Sequence, residues 1–210
     1  MLNRIITGEL QTNCWIIPLE KGVCIVVDPG GEGNLILARL HALKSRPRYI
    51  VLTHAHFDHV AALPELAAAF PEAEIGVHPA EEAKLGPQSL ALHQRDFASA
   101  GAYSYVDALW KSLPEASMLL EEGSALGPFK VLHLPGHSPG SIALYWEEEK
   151  LLLSGDTLFN AGVGRTDLPG GNEELIGRSL ARLFAMDGDI QVYPGHGPAT
   201  TIRRERNRYR

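Results

Sequence analysis

Cysteine is scarce in the 210-residue sequence: Cys14 and Cys24 are the whole supply, both sit in apolar segments, and no Cys-x-x-Cys pair exists. This argues against a disulfide scaffold and against a thiolate metal site. No apolar run approaches the length of a membrane span, and the start, MLNRIITGELQTNC, lacks the apolar core of a secretory signal. A cytoplasmic location without a membrane partner is therefore expected. Positive charge gathers only in the tail from Arg203 to Arg210, and the 19 Lys and Arg are outnumbered by 25 Asp and Glu. That balance argues against nucleic acid as a partner. Hydrophobic residues make up 45% and charged residues only 21%, which rules out wholesale disorder and leaves enough apolar side chain for a real core. With no linker or low-complexity segment, residues 1–210 read as a single domain.

Short β-branched runs bounded by Gly, Pro or charge open the chain: CWIIPL at 14–19, VCIVVD at 23–28 and YIVLTH at 49–54. These read as strands. Helical spacing predicts helices over 34–43 and 60–70, so the order is β-β-α-β-α, an α/β layered pattern. IGVHP at 75–79 extends it. A second strand-rich half follows with SMLLEEG, FKVLHLPG, SIALYWEEE and KLLLSGD, then an amphipathic helix over 174–186, the strand IQVYPG and a charged helix from Thr200. Two such halves suggest a duplicated β-sandwich with helices outside. The interval 80–116 mixes helical patches with Gly, Pro and aromatics and reads as a partly helical insertion.

At the end of the third of these strands stands Thr53-His54-Ala55-His56-Phe57-Asp58-His59, an H-x-H-x-D-H pattern. In an extended segment His54 and His56 project to one side and reach one metal, while Asp58 and His59 enter the next helix and reach a neighbouring point. Three further candidates also follow strands and are flanked by Gly or Pro: His137 in LPGHSPG, Asp156 in SGDT and His196 in PGHG. Glycine and proline suit tight turns that aim a side chain into a cleft. Histidine and carboxylate without cysteine form a donor set for zinc, iron or manganese. His41, His78, His93 and His133 lack such company and read as structural or surface residues.

These motifs, with S-G-D-T-L-F and the final P-G-H-G, resemble the metallo-β-lactamase-fold hydrolases over about residues 7–201. The resemblance implies a four-layer αββα sandwich with a two-metal site at one edge of the sheets. It also implies roles: His54, His56 and His137 on one divalent ion, Asp58, His59 and His196 on the other, and Asp156 bridging them, with zinc foremost. Val60 stands where relatives usually carry Gly. Within the superfamily the chain is most similar to short, single-domain glyoxalase II-like proteins. Arg165, after Gly162-Val163-Gly164, takes the position of a cationic residue that contacts the glutathione moiety.

The implied reaction is attack of a metal-held hydroxide on a thioester of a small anionic substrate, with Asp58 also accepting the water proton or orienting the hydroxide. Arg165 is the candidate for a substrate carboxylate, and an ion pair with Asp167 is its ordinary alternative. Thr53 and Ser138 are candidate supports for ligands or simple turn residues, and Tyr103, Tyr105 and Trp110 either roof a pocket or form a satellite core. Competing readings are an iron persulfide dioxygenase on the same fold, a lactone or ester hydrolase and, last, a non-enzymatic metal-binding protein. The β-lactamase branch is set aside for want of an export signal and because it resembles a site without both the Asp58–His59 pair and the Asp156 bridge. Nucleases are set aside on charge and length.

Overall fold

In the computed structural model, which describes residues 2–99 and 101–209, the chain divides into two units, one up to Leu119 and one from Leu120. The first unit is built on a sheet whose strands follow chain order: β1 (Asn3–Thr7), β2 (Thr12–Glu20), β3 (Val23–Val27), β4 (Arg46–Val51), β5 (Glu74–Val77) and β6 (Met118–Leu119). The first three pair antiparallel, and β3 to β6 pair parallel. Parallel neighbours need crossovers. These are α1 (Gly33–Ala42), the pair α2 (Phe57–Val60) and α3 (Leu63–Ala69), and the predicted insertion. The insertion comprises a 3-10 helix (Pro79–Lys84), α4 (Leu90–Ser99) and α5 (Tyr103–Leu109).

The central strands carry the near-continuous apolar runs expected where both faces are covered. Cys24 to Val27, Ile50 and Val51 are fully buried, and Cys14 and Cys24 are free thiols inside this unit. Burial pushes both thiols up from their ordinary pKa. The helix expected over 60–70 is interrupted. Pro64 lies in the first turn of α3, and the Ala62 N–H bonds to the Pro29 carbonyl at 2.9 Å instead of continuing a helix from α2.

The second unit holds β7 (Ala125–Leu126), β8 (Phe129–His133), β9 (Ile142–Trp146), β10 (Leu151–Gly155), β13 (Gln191–Pro194) and β14 (Thr200–Thr201), in the spatial order β14-β13-β10-β9-β8-β7. Between β10 and β13 the chain forms the hairpin β11 (Leu158–Phe159) and β12 (Gly162–Val163) and then α6 (Glu173–Phe184). The Asn172 side chain caps α6 by accepting from the Leu175 N–H at 2.9 Å, and Glu173 and Glu174 lie in the first turn, where the helix dipole favours them. α7 (Ile202–Arg208) starts on Thr201, whose hydroxyl accepts from the Arg204 N–H. Among the described residues no helix is long and apolar enough to cross a membrane.

His93 in α4 shows how the insertion is held. It is fully buried, its Nε2 donates to the Lys84 carbonyl at 2.8 Å, and burial pushes its pKa down to about 4. An unfolded chain takes up a proton at this residue near pH 6.5, whereas the folded one stays neutral. Stability therefore falls as pH drops from about 6.5 to 4 and levels off below that. Across that window His93 contributes a loss on the order of 3 kcal/mol. Urea unfolding of the metal-free protein and of His93→Gln at several pH values checks this: the parent's curve is expected to be the steeper, and parallel curves contradict the assignment.

Candidate metal centre

Each unit sends its candidate ligands from the carboxyl ends of its strands. In the first unit, β3 and β4 run parallel, so Asp28 and Thr53 leave the sheet side by side, with the Asp28 N–H on the Val51 carbonyl at 3.0 Å. β4 stops at Val51, so the motif occupies the connection to α2 rather than the strand itself. His54, His56, Asp58 and His59 are all buried, at 7% exposure or less. The ring centroids of His54 and His56 lie 4.7 Å apart and those of His54 and His59 4.2 Å apart. Asp58 and His59 sit in the single turn of α2, with Asp58 Oδ2 3.5 Å from His59 Nε2.

Asp28 is the residue that sequence reading missed here. Its carboxylate accepts from the Thr53 N–H and the Thr53 hydroxyl, each at 2.7 Å, and lies 3.0 Å from His59 Nδ1. A carboxylate at that distance favours the tautomer with the His59 proton on Nδ1, which leaves Nε2 as the nitrogen available to a metal. Asp28 adopts a left-handed backbone conformation, φ 53°, that Asp tolerates better than most residues. The only sequence signal was an acidic residue ending an apolar strand before Pro-Gly-Gly. The Thr12 hydroxyl similarly donates to Asp58 Oδ2 at 3.1 Å. Gly30 makes the approach feasible, because a Cβ there would stand 2.0 Å from the Asp58 carbonyl oxygen.

Phe57, between the candidate ligands His56 and Asp58, is fully buried behind the motif. Trp110 stacks on it at 5.9 Å, and Tyr105 and His93 meet it edge-on at 5.9 and 5.5 Å. Tyr105 and Trp110 thus belong to the core of this unit, and Tyr103 is half exposed. Tyr105, Leu109 and Trp110 also line one wall of a cleft of about 630 Å³ whose other side carries Glu32 and Glu65.

In the second unit β8, β10 and β13 point the same way, since β8 and β10 are each antiparallel to β9 and β13 is parallel to β10. Their ends deliver His137, Asp156 and His196 together. His137 Nε2 lies 3.7 Å and His196 Nε2 3.4 Å from Asp156 Oδ2. The Gly195 N–H on the Gly155 carbonyl ties the two parallel strand ends at 2.9 Å. His137 Nδ1 donates to the Arg165 carbonyl at 2.8 Å, again leaving Nε2 as the ligating nitrogen. Gly164 is required by packing, because a Cβ would stand 1.9 Å from the Asp156 carbonyl oxygen and 2.9 Å from the His137 Cβ. Arg165 forms a bidentate pair with Asp167, with both contacts at 2.7 Å, and holds that carboxyl down at about 2. Ser138 bonds Ser141 within its turn.

The expected ligands therefore fall into one set of four and one set of three, all buried except the partly exposed His196. The imidazole and carboxylate donors fit divalent metal. Among the described residues, His41, His78, His93 and His133 join no such group.

Residues 7–196 match the family model of the metallo-beta-lactamase superfamily. The chain belongs to that superfamily. The hydroxyacylglutathione hydrolase GloC of Haemophilus influenzae is 34% identical over 197 residues, 93% of this chain and 90% of that protein. Among solved structures, the BLEG-1 B3 metallo-beta-lactamase is 33% identical with a TM-score of 0.86, over 99% of this chain and 97% of that one. TTHA1623 in a di-iron-bound form is 37% identical with a TM-score of 0.82, over 97% and 96%. The fold class expected from the motifs, α/β of the metallo-β-lactamase type, is thus established.

Proposed function

We propose that the two ligand sets together hold two divalent ions and that the protein is a hydrolase of thioesters such as hydroxyacylglutathiones. His54, His56 and His137 would hold one ion and Asp58, His59 and His196 the other, with Asp156 as a further ligand. The observation that carries the reading is the likeness to the hydroxyacylglutathione hydrolase over nearly the whole chain, together with a full complement of seven candidate ligands. A pair of divalent cations supplies, when bound, hydroxide at neutral pH and a Lewis acid for the carbonyl oxygen.

The chain's own residues do the rest. Asp58, with Oδ2 held by Thr12, offers its other oxygen to the proton of an attacking water. Asp28 and the Arg165 carbonyl fix which nitrogen His59 and His137 present. The Arg165 guanidinium takes the substrate carboxylate. Its pair with Asp167 is exposed on both sides, and solvent screens such a pair, so exchanging Asp167 for a substrate carboxylate is inexpensive.

Thiol release from S-lactoylglutathione by metal-reconstituted protein tests the reading. Rapid release supports it. No release, with turnover of a chromogenic cephalosporin, moves the assignment to β-lactams, the reading favoured by the BLEG-1 likeness. Oxygen uptake with glutathione persulfide would move it to a dioxygenase, and turnover of a lactone to a lactone hydrolase. Arg165→Ala is expected to raise KM for the anionic thioester about tenfold, the loss of one charge-assisted contact, with kcat little changed. An unchanged KM removes Arg165 from the substrate site.

A further inference from the structure

Glu81, in the 3-10 helix that begins the insertion, is fully buried yet belongs to neither ligand set. Its Oε2 accepts from the backbone N–H of Ala55 at 3.3 Å and lies 3.3 Å from Lys84 Nζ. Lys84, 8% exposed, reaches Asp96 Oδ2 of α4 at 2.9 Å, and Asp96 is itself buried. From the surface, Arg95 Nη2 touches Asp96 Oδ1 at 3.1 Å. His93 Nε2 on the Lys84 carbonyl fixes the end of the 3-10 helix. The result is a buried Glu–Lys–Asp chain that runs from the insertion to the peptide between His54 and His56.

A buried charge costs several kcal/mol unless paired, and well-packed apolar residues of similar volume often serve stability as well or better. Stability alone therefore does not account for a buried Glu–Lys–Asp chain that reaches the Ala55 N–H. The placement of that N–H does. The Ala55 amide shares a rigid plane with the His54 carbonyl, so holding it restrains ψ of His54 and φ of Ala55, two of the backbone dihedrals that lie between the rings of His54 and His56. The low-dielectric surroundings strengthen the hydrogen bond, and Lys84 locks the carboxylate's direction.

We propose that Glu81 is the positioning residue of the H-x-H segment, with Lys84 and Asp96 holding its carboxylate against the Ala55 N–H so that both imidazoles are aimed before metal arrives. The proposal rests on reading His54 and His56 as metal ligands. It gives the insertion a task in the metal centre.

The test is zinc titration of metal-free protein against a chromophoric chelator, for the parent, Glu81→Gln and Glu81→Leu. Removing the Glu81 charge leaves Lys84 and Asp96 as a balanced pair, so the leucine variant is expected to fold. Its zinc affinity is expected to fall by about 10–100-fold, the usual effect of losing a residue that orients a ligand. Glutamine keeps a carbonyl acceptor for Ala55, and its loss is expected to stay below about tenfold. A folded leucine variant that binds zinc as tightly as the parent overturns the proposal. So does a glutamine variant that loses as much as leucine, since charge rather than the hydrogen bond would then be acting.

Amide exchange at Ala55, followed by NMR in the metal-free parent, decides independently of whether the leucine variant folds. Protection supports a bond made before metal binds, and exchange at the rate of an open loop overturns it. A parent that takes up no zinc contradicts the metal-centre reading itself, and the Ala55 amide then judges Glu81 alone.

Discussion

Alanine at position 58 is expected to cut thioester hydrolysis by about 10²- to 10⁴-fold, the range typical of a positioned acid or base, while leaving the fold intact. Asp58 is buried, but the truncation removes only a small carboxyl group and no apolar packing. The change strands the buried Thr12 hydroxyl that donates to Asp58, a cost of about 1–3 kcal/mol, whereas His59 keeps its contact with Asp28. The change therefore subtracts one proposed ligand and the proposed proton acceptor from an otherwise standing site. Asp58→Asn separates the two roles, since the amide keeps an oxygen toward the site but accepts a proton poorly. Steady-state rates for parent, alanine and asparagine forms, each with measured metal content, check this. Full activity in Asp58→Ala contradicts the two-ion mechanism.

Asp28→Ala is expected to lower both stability and metal affinity strongly. One fully buried carboxylate serves three groups: the Thr53 N–H, the Thr53 hydroxyl and His59 Nδ1. Leaving a buried donor without an acceptor costs about 1–3 kcal/mol each, so a loss of roughly 3 kcal/mol or more is expected in the metal-free protein. Metal affinity is expected to fall by a further 10–100-fold or so, because His59 no longer has its tautomer imposed. Urea unfolding without metal and chelator competition with it measure the two effects separately. A variant as stable as the parent and binding metal equally well contradicts the role given to Asp28.

The proposed ligands were legible because they carry their own context: three histidines and an aspartate within six residues, and single candidates set among Gly and Pro after apolar runs. Their supports were not. Asp28 lies 25 residues before Thr53 in the chain, and parallel pairing of β3 with β4 is what makes them neighbours. An acid at a strand end is ordinary until that register is known. Glu81 was hidden in the same way, in a segment whose Pro79 start and short 3-10 turn break the helical spacing.

Among the elements, β1 escaped notice because Ile5 and Thr7 point inward while Arg4 and Ile6 are exposed, a five-residue alternation too short to stand out. The helix expected across 60–70 followed apolar spacing that does continue through Ala61 and Ala62. Pro64 and the Pro29 carbonyl, one local and one distant, divide it. Arg165 illustrates the opposite case. Both of its anticipated roles concern the guanidinium, yet its backbone carbonyl also orients His137, a contact that no side-chain pattern encodes.

The central proposal, that the seven candidate ligands hold a pair of ions, is tested most directly by counting metal. Titration of metal-free protein with zinc, followed by elemental analysis after removal of unbound metal, should give two equivalents per chain. Asp58→Ala and His196→Ala should each lower the count toward one. A single equivalent in the parent that neither substitution disturbs would contradict the account.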